Sequence, residues 1–139
     1  MSNRATLIPA GRQLGVIGAG VMGQTLIKGL LSAGLLTTDQ VWAAEHSPER
    51  REQVARDLGI AVFEDYGAAL PRTDIVLVCV KPSQIGPAMA TMREHGPSPD
   101  TLFISILAGV TTTQLEAALR LPNPWVRAMP NTPAVVGEG

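Results

Sequence analysis

The chain of 139 residues has the length of one domain, and its composition excludes several classes of protein. Hydrophobic residues make up 45% of it and charged residues 17%, which is typical of a globular domain and not of a disordered chain. The formal net charge of -1 gives no electrostatic reason to expect a nucleic acid or an anionic membrane as a partner. The single cysteine, Cys79, excludes an internal disulfide bond and favours a reducing, cytoplasmic setting. No segment approaches the ~20 apolar residues of a membrane helix.

Residues 1–12 are interpreted as a loose lead-in to one domain over residues 13–139, in which short apolar runs alternate with helical patterns. Strands are expected over residues 14–17, 41–44, 60–63, 75–80, 102–106 and 125–128. Helices are expected over residues 22–32, 48–58 and 82–93, with at most a short helix over residues 66–70. A further helix is expected to be capped by Thr112 or Thr113 and to end near Arg120. The alternation predicts an α/β fold, a Rossmann-like doubly wound and mainly parallel sheet of about six strands with helices on both faces. Ligands of such sheets bind beyond the carboxyl ends of the strands.

A glycine-rich turn follows the first predicted strand and opens the first predicted helix. It reads Gly18-Ala19-Gly20-Val21-Met22-Gly23, and this context is the one that a dinucleotide-binding turn requires. The first glycine permits the tight turn, the second lets the backbone approach a pyrophosphate, and the third allows close packing of helix on strand. The pattern therefore predicts a bound NAD or NADP, although a turn that only packs a helix on a sheet is the alternative.

The end of the second strand is expected at the adenosine ribose. Glu45 lies 22 residues after Gly23, close to the spacing of an acid that accepts hydrogen bonds from ribose hydroxyls and thereby favours NAD. The neighbouring donors can instead bind the 2′-phosphate of NADP, and they are His46, Ser47, Arg50 and Arg51. The choice between NADP and NAD stays open at this stage.

Other candidate residues follow the later strands. Lys81 is placed to approach the cofactor phosphates or a carboxylate substrate, and Asn131 carries an amide suited to a nicotinamide carboxamide. Cys79 is interpreted as a small core residue, since no base accompanies it. Trp42 and Trp125 are interpreted as core or sheet-flank residues and not as a stacking platform. No metal-ligand spacing and no arrangement of a catalytic nucleophile emerges, so no residue is assigned as catalytic.

Four stretches resemble, in the right order, the pyrroline-5-carboxylate reductases, which make proline. They are the residues 15–23, Val80-Lys81-Pro82, Ser105-Ile106-Leu107-Ala108-Gly109-Val110, and Arg127-Ala128-Met129-Pro130-Asn131-Thr132-Pro133. The first stretch is shared with many dehydrogenases, whereas the last two are much more specific. The resemblance covers residues 13–139.

The resemblance implies roles for residues at matching positions. The pyrophosphate would lie on the turn formed by Ile17, Gly18, Ala19, Gly20, Val21, Met22 and Gly23. Ser47 would lie near the adenosine ribose or its 2′-phosphate. The nicotinamide half would be lined by Val80, Lys81, Pro82, Leu107, Ala108 and Gly109, with Asn131 near the reacting carbon. The family often has a basic or amide residue near positions 45 and 46, where this chain has Glu45 and His46.

The implied reaction transfers a hydride from NAD(P)H to the C=N carbon of 1-pyrroline-5-carboxylate, a small-molecule imine. The family also has a C-terminal helical domain that builds a dimer or a larger ring. That domain is not seen in these 139 residues, so we expect a fragment that binds the dinucleotide but reduces the imine poorly alone. The alternatives are a relative of the β-hydroxyacid dehydrogenases, and a stand-alone dinucleotide-sensing module that recruits partners.

Overall fold

Six short strands form one parallel sheet in the computed structural model, which describes residues 9–129. The strands are β1 (Leu14–Ile17), β2 (Val41–Ala44), β3 (Ala61–Phe63), β4 (Ile75–Val78), β5 (Leu102–Ser105) and β6 (Trp125–Arg127). Their order across the sheet is β3-β2-β1-β4-β5-β6, and every neighbouring pair is parallel. This order confirms the predicted Rossmann-like doubly wound sheet.

Four helices connect the strands, and their termini follow from local sequence. They are α1 (Val21–Ser32), α2 (Pro48–Leu58), α3 (Ile85–His95) and α4 (Thr112–Leu119). Helix α2 begins as predicted, because the Oγ of Ser47 accepts a hydrogen bond from the backbone N–H of Arg50 at 3.3 Å and Pro48 occupies the first helical position. It ends at Gly59, whose φ of 68° places it in the left-handed region.

The predicted cap of α4 was wrong by one or two residues. Thr111, and not Thr112 or Thr113, caps the helix: its Oγ accepts the N–H of Gln114 at 3.1 Å. The side chain of Gln114 in turn accepts the N–H of Thr111 at 2.8 Å. Two polar side chains thereby satisfy two N–H groups at the helix start, which a single threonine one position later would not do.

Several predicted boundaries were also wrong. Strand β4 ends at Val78, two residues before the predicted end, since the chain turns at Cys79 to pass beneath the glycine-rich turn. Pro82 opens only a short 3-10 turn before α3 begins at Ile85. Strand β3 begins one residue later than predicted, and β5 and β6 each end one residue earlier. Residues 66–70, for which at most a short helix was expected, lead instead into a 3-10 turn at Leu70–Arg72, which contains Pro71.

Both faces of the sheet are covered, as the continuous apolar run in β4 predicts. Helices α1 and α2 lie on one face over an aliphatic cluster that includes Val16, Ile27 and Leu77. Helices α3 and α4 lie on the other face, where the cluster is rich in aromatic residues: Trp42, Tyr66, Phe103 and Trp125. Of the two predicted placements for the tryptophans, core or sheet flank, the structure therefore shows the core. Within residues 9–129, no helix is long and apolar enough to cross a membrane.

Candidate functional site

A cavity of about 370 Å³ lies at the carboxyl edge of the sheet. It extends from the ends of β1 and β4, where the connections diverge to opposite faces, past the ends of β2 and β3 to helix α3. This divergence is where ligands of open α/β sheets bind. The lining residues are Ile17, Gly18, Gly20, Ala44, Glu45, His46, Arg50, Glu64, Tyr66, Cys79, Val80, Lys81, Gln84, Pro87, Ala88 and Thr91.

Two glycines of the turn are required by the fold itself. Gly18 has a φ of 100°, and a Cβ there would lie 2.9 Å from the carbonyl oxygen of Cys79. A Cβ on Gly23 would lie 2.4 Å from the carbonyl oxygen of Gly18, so only glycine lets α1 approach the turn so closely. Packing alone therefore explains these two glycines, and the same turn would need them even if it bound no ligand.

Gly20 differs from both of these glycines. Its φ of -79° is accessible to any residue, and a Cβ added there would meet no protein atom within 4 Å. It lines the cavity and stands at the N-cap of the 12-residue helix α1, where backbone N–H groups without intrahelical partners favour an anion. Since neither backbone strain nor packing demands glycine here, the open space above it fits the close approach of a diphosphate.

The other predicted residues of the turn do not line the cavity. Ala19 is buried in the core, and its carbonyl oxygen accepts a hydrogen bond from the side chain of Gln24 at 2.9 Å. Val21 is 75% exposed, and Met22 is partly buried. Of the seven predicted residues, Ile17, Gly18 and Gly20 are therefore the ones whose atoms border the cavity.

The end of β2 places a fixed carboxylate at the cavity. Oε2 of Glu45 accepts a hydrogen bond from the backbone N–H of Ser47 at 3.0 Å, and Nη1 of Arg50 lies 3.7 Å from Oε1. Arg51 donates to the backbone carbonyls of Glu45 and His46 at 3.0 and 2.8 Å. Ser47 does not line the cavity, and its hydroxyl oxygen caps α2.

The segment after β4 contributes three consecutive lining residues. Val80 and Lys81 border the cavity, whereas Pro82 is exposed outside it. Cys79 also borders the cavity, in addition to packing against the core cluster beneath α1. Burial raises the pKa of its thiol to about 12, so the sulfur stays protonated and is a poor nucleophile at neutral pH.

The residues after β5 that were predicted for the nicotinamide half are not brought into the cavity. Leu107 is buried in the core at 4% exposure, and its N–H donates to Oγ of Ser105 at 3.1 Å. Ala108 and Gly109 are exposed after β5, at the same edge of the sheet, and do not line the cavity. Asn131 lies outside the described residues, as do the residues from Pro130 onward. Their roles stay predictions.

Comparison with known proteins decides the family. The sequence model of the family described as NADP oxidoreductase, coenzyme F420-dependent, matches residues 13–109, which include the glycine turn and all the lining residues. The chain belongs to this family. The expectation of an NADP- or NAD-type cofactor is thereby confirmed at the level of the family, with the preference between the two left open.

The resemblance to pyrroline-5-carboxylate reductases is also confirmed. The chain is 37% identical over 127 residues to the reductase of Pseudomonas aeruginosa, with 91% of this chain and 46% of that protein covered. A solved reductase from Coxiella burnetii has a TM-score of 0.82 at 28% identity, covering 91% of this chain and 46% of that one. The Plasmodium falciparum enzyme, solved with NADP bound, has a TM-score of 0.75 at 25% identity, covering 91% and 45%. The chain thus spans about half the length of these relatives.

Several lining residues were missed by sequence reasoning in this member of the family. Glu64 and Tyr66 lie one and three residues after the end of β3, so the rule that ligands bind beyond strand ends could have found them. Gln84, Ala88 and Thr91 lie at spacings of four and three residues along the start and body of α3, which places them on one helix face. That face was not identified because its residues are not charged.

Proposed function

We propose that this chain is the dinucleotide-binding part of a pyrroline-5-carboxylate reductase. In that reaction NAD(P)H reduces the C=N bond of 1-pyrroline-5-carboxylate to give L-proline. The identity to the Pseudomonas aeruginosa reductase and the fold shared with the Coxiella burnetii enzyme support the proposal. The activity belongs to proteins about twice the length of this chain, so it is assigned here to the protein of which the chain forms the cofactor-binding part.

The observation that carries the proposal is Gly20. It is a glycine that the fold does not need, at the start of a helix and on the wall of the cavity at the strand divergence. A binding site for a diphosphate explains the missing side chain, because a Cβ would occupy space that the phosphates need. A purely structural turn explains Gly18 and Gly23 but leaves Gly20 without a reason.

We assign the parts of the dinucleotide along the cavity. The pyrophosphate is assigned to the turn of residues 17–23, and the adenosine ribose to Glu45 with Ser47 nearby. Val80 and Lys81 are assigned to the nicotinamide half, since they line the cavity beyond β4. Pro82, Leu107, Ala108, Gly109 and Asn131 are assigned to the same half on the family resemblance alone.

The proposed hydride transfer requires little acid–base catalysis from the side chains. A bound reduced nicotinamide supplies the hydride, and a protonated imine is already electrophilic, so no strong general acid is required. The contribution of the protein is alignment of the two reactants at near-attack distance and exclusion of water. The high pKa of Cys79 fits this assignment, because a protonated thiol beside the turn adds no negative charge next to the phosphates.

We further propose a cytoplasmic enzyme that forms a homo-oligomer at full length and binds no nucleic acid. The single cysteine supports the reducing compartment, and the net charge of -1 supports the absence of nucleic acid. Exposed Val126 and Met129 at the β6 edge support apolar contacts with further protein.

The proposal is tested by titrating the chain with NADH and NADPH while the nicotinamide fluorescence is measured. The variant Gly20→Ser is expected to weaken binding of both by roughly tenfold to a hundredfold, the equivalent of the 1–3 kcal/mol that an inserted side chain typically costs. Serine is a favourable N-cap residue, so α1 should be preserved.

The matched control is Gly29→Ala, at a second position where a Cβ meets no atom within 4 Å but which lies in the body of α1 away from the cavity. It should bind both dinucleotides as the wild type does. If the folded wild-type chain binds neither dinucleotide, or if Gly20→Ser binds as tightly as Gly29→Ala, the assignment is wrong. An assay on the full-length protein then compares reduction of a cyclic imine with oxidation of 3-hydroxy acids. It distinguishes the reductase from a relative of the β-hydroxyacid dehydrogenases.

A further inference from the structure

Glu45 is held rigidly at the adenosine end of the cavity. Its side chain is only 12% exposed, and its Oε2 accepts the backbone N–H of Ser47 at 3.0 Å. Its own N–H donates to the carbonyl oxygen of Phe63 at 2.9 Å, which ties the residue to the end of β3. Because its main chain is tied to β3 and its carboxylate accepts a backbone N–H, Glu45 cannot easily withdraw from a ligand that approaches it.

The cations around Glu45 are already paired with carboxylates. Arg50 lies 3.7 Å from Glu45, and Arg51 lies 3.6 Å from Glu64. Arg51 is further held by the carbonyl oxygens of Glu45 and His46. These two arginines and two glutamates sum to zero formal charge, so the four side chains together give this end of the cavity no net positive charge.

The two dinucleotides differ at this end of the cavity. NADPH carries a 2′-phosphate whose negative charges would be repelled by the Glu45 carboxylate at short range. NADH carries a 2′-hydroxyl that can donate a hydrogen bond to that carboxylate, which retains free lone pairs after accepting from Ser47. The same carboxylate therefore attracts one dinucleotide and repels the other.

We propose that Glu45 makes this protein select NADH over NADPH, within a family whose description names NADP. The inference rests on the proposed function, because it assigns the adenosine ribose to the end of β2. It is specific to this chain, since it depends on the pairing of Arg50 and Arg51 with the two glutamates.

The test measures dissociation constants of NADH and NADPH for the chain and for Glu45→Gln. We expect the wild type to bind NADH at least about tenfold more tightly, the factor that 1.4 kcal/mol produces. Glu45→Gln should reduce that ratio by a similar factor, mainly by strengthening NADPH binding. The amide oxygen can still accept the N–H of Ser47, which preserves the loop. Glu49→Gln removes the same charge from an exposed position outside the cavity and should leave the ratio unchanged within about twofold.

A salt titration of the wild type gives a second measurement that needs no variant. Because the repulsion of the 2′-phosphate is screened by ions, the ratio should move toward NADPH as salt increases. A wild type that prefers NADPH, and loses that preference with salt, would show that Arg50 leaves Glu45 for the phosphate, and the inference would be overturned. Equal binding of the two dinucleotides overturns it as well. Binding of neither contradicts the proposed function instead, so the two failures are distinguishable.

Discussion

The two ends of the parallel sheet each hold a cavity, and the two cavities have nearly the same volume, about 370 Å³ at the carboxyl end and about 380 Å³ at the amino end. Each is bordered by at least one arginine, one acid and one glycine. At the amino end, Gly59 has an evident structural reason, since its left-handed backbone ends α2. At the carboxyl end, Gly20 has none. Volume therefore does not separate a binding site from a surface hollow. The two cavities differ instead in that the carboxyl-end cavity is lined by a glycine at a helix N-cap for which the fold gives no reason.

One side chain, Trp42, connects the two ends of the sheet. The indole lines the amino-end cavity, covers Gly15, and stacks on Tyr66 of the carboxyl-end cavity with ring centroids 5.5 Å apart. Its Nε1 donates to Oγ1 of Thr73 at 3.0 Å. Trp42→Ala should lower the free energy of unfolding by about 3–5 kcal/mol, the usual cost of removing a large buried aromatic side chain.

Urea unfolding monitored by circular dichroism measures that loss. Val126→Thr is the control, because Val126 lies on the outer strand at 48% exposure and its replacement should change stability by no more than about 0.5 kcal/mol. A loss below about 1 kcal/mol for Trp42→Ala would mean that the ring is not the shared wall of the two ends.

Two glycine substitutions, one at each end of the sheet, separate an effect on stability from an effect on dinucleotide binding. Gly23→Ala places a methyl group 2.4 Å from the carbonyl oxygen of Gly18, so α1 must move; the expected cost is about 1–3 kcal/mol, together with weaker dinucleotide binding. Gly59→Ala meets only Thr38 at 3.9 Å but keeps a φ of 68°, at a cost of about 1–2 kcal/mol.

The difference between the two variants is in binding. Gly59→Ala should bind the dinucleotide as the wild type does once both are folded, since it lies at the opposite end of the sheet. Thermal unfolding and fluorescence titration of the same samples give both quantities. Weakened binding in Gly59→Ala, with Gly23→Ala unaffected, would reverse the assignment of the two ends.

The carboxyl end also carries the groups that should respond to alkaline pH. Burial raises the pKa of Cys79 from 9.0 to about 12, and burial, with the nearby charge of Asp65, raises that of Tyr66 from 10.0 to about 12. The unfolded chain loses these protons first, so the stability that they contribute is complete below pH 9 and falls as pH rises toward 12. The loss should not exceed about 1.4 kcal/mol per pH unit for each group.

Cys79→Ala should therefore lose less stability than the wild type between pH 9 and pH 11, while the two run parallel between pH 7 and pH 8. Urea unfolding at each pH gives the two curves. Identical slopes above pH 9 would show that the thiol ionises as readily in the folded protein as in the unfolded chain.

Sequence reasoning predicted the sheet well, because buried parallel strands are short apolar runs and each helix carries its own terminal signals. Helix α2 is bounded by Ser47 and Pro48 at its start and by Gly59 at its end, as expected. Each of these signals acts through contacts within a few residues along the chain, so it can be identified from the sequence. The cap of α4 was missed by one or two positions because three consecutive threonines compete, and only the pairing with Gln114 selects Thr111. Strand ends were overestimated where hydrogen bonding stops before the apolar run does, as at Val78.

The site was predicted less completely, for a different physical reason. Strand ends can be read from the chain, and they yielded Gly18, Gly20, Glu45, Val80 and Lys81. The wall formed by α3 depends on how that helix packs across the sheet, and its lining residues have no charge that would single them out. Likewise, the pairing of Arg50 and Arg51 with Glu45 and Glu64 is a matter of side-chain geometry that spacing alone does not fix.

The smallest expected effect on dinucleotide binding is that of Arg72→Ala. It tests directly which of the two cavities holds the dinucleotide. Arg72 is an exposed residue on the amino-end cavity, so an anionic ligand seated there would be held largely by its charge. If the dinucleotide binds at the carboxyl end, Arg72→Ala should leave its dissociation constant unchanged within about twofold and stability within about 0.5 kcal/mol. Lys81→Ala, which removes a cation from the carboxyl-end cavity, should weaken binding about threefold to tenfold, as expected for a partly exposed charge contact of roughly 1 kcal/mol. The reverse ranking, measured by the same fluorescence titration, would place the phosphates at the wrong end of the sheet and contradict the role given to the glycine turn.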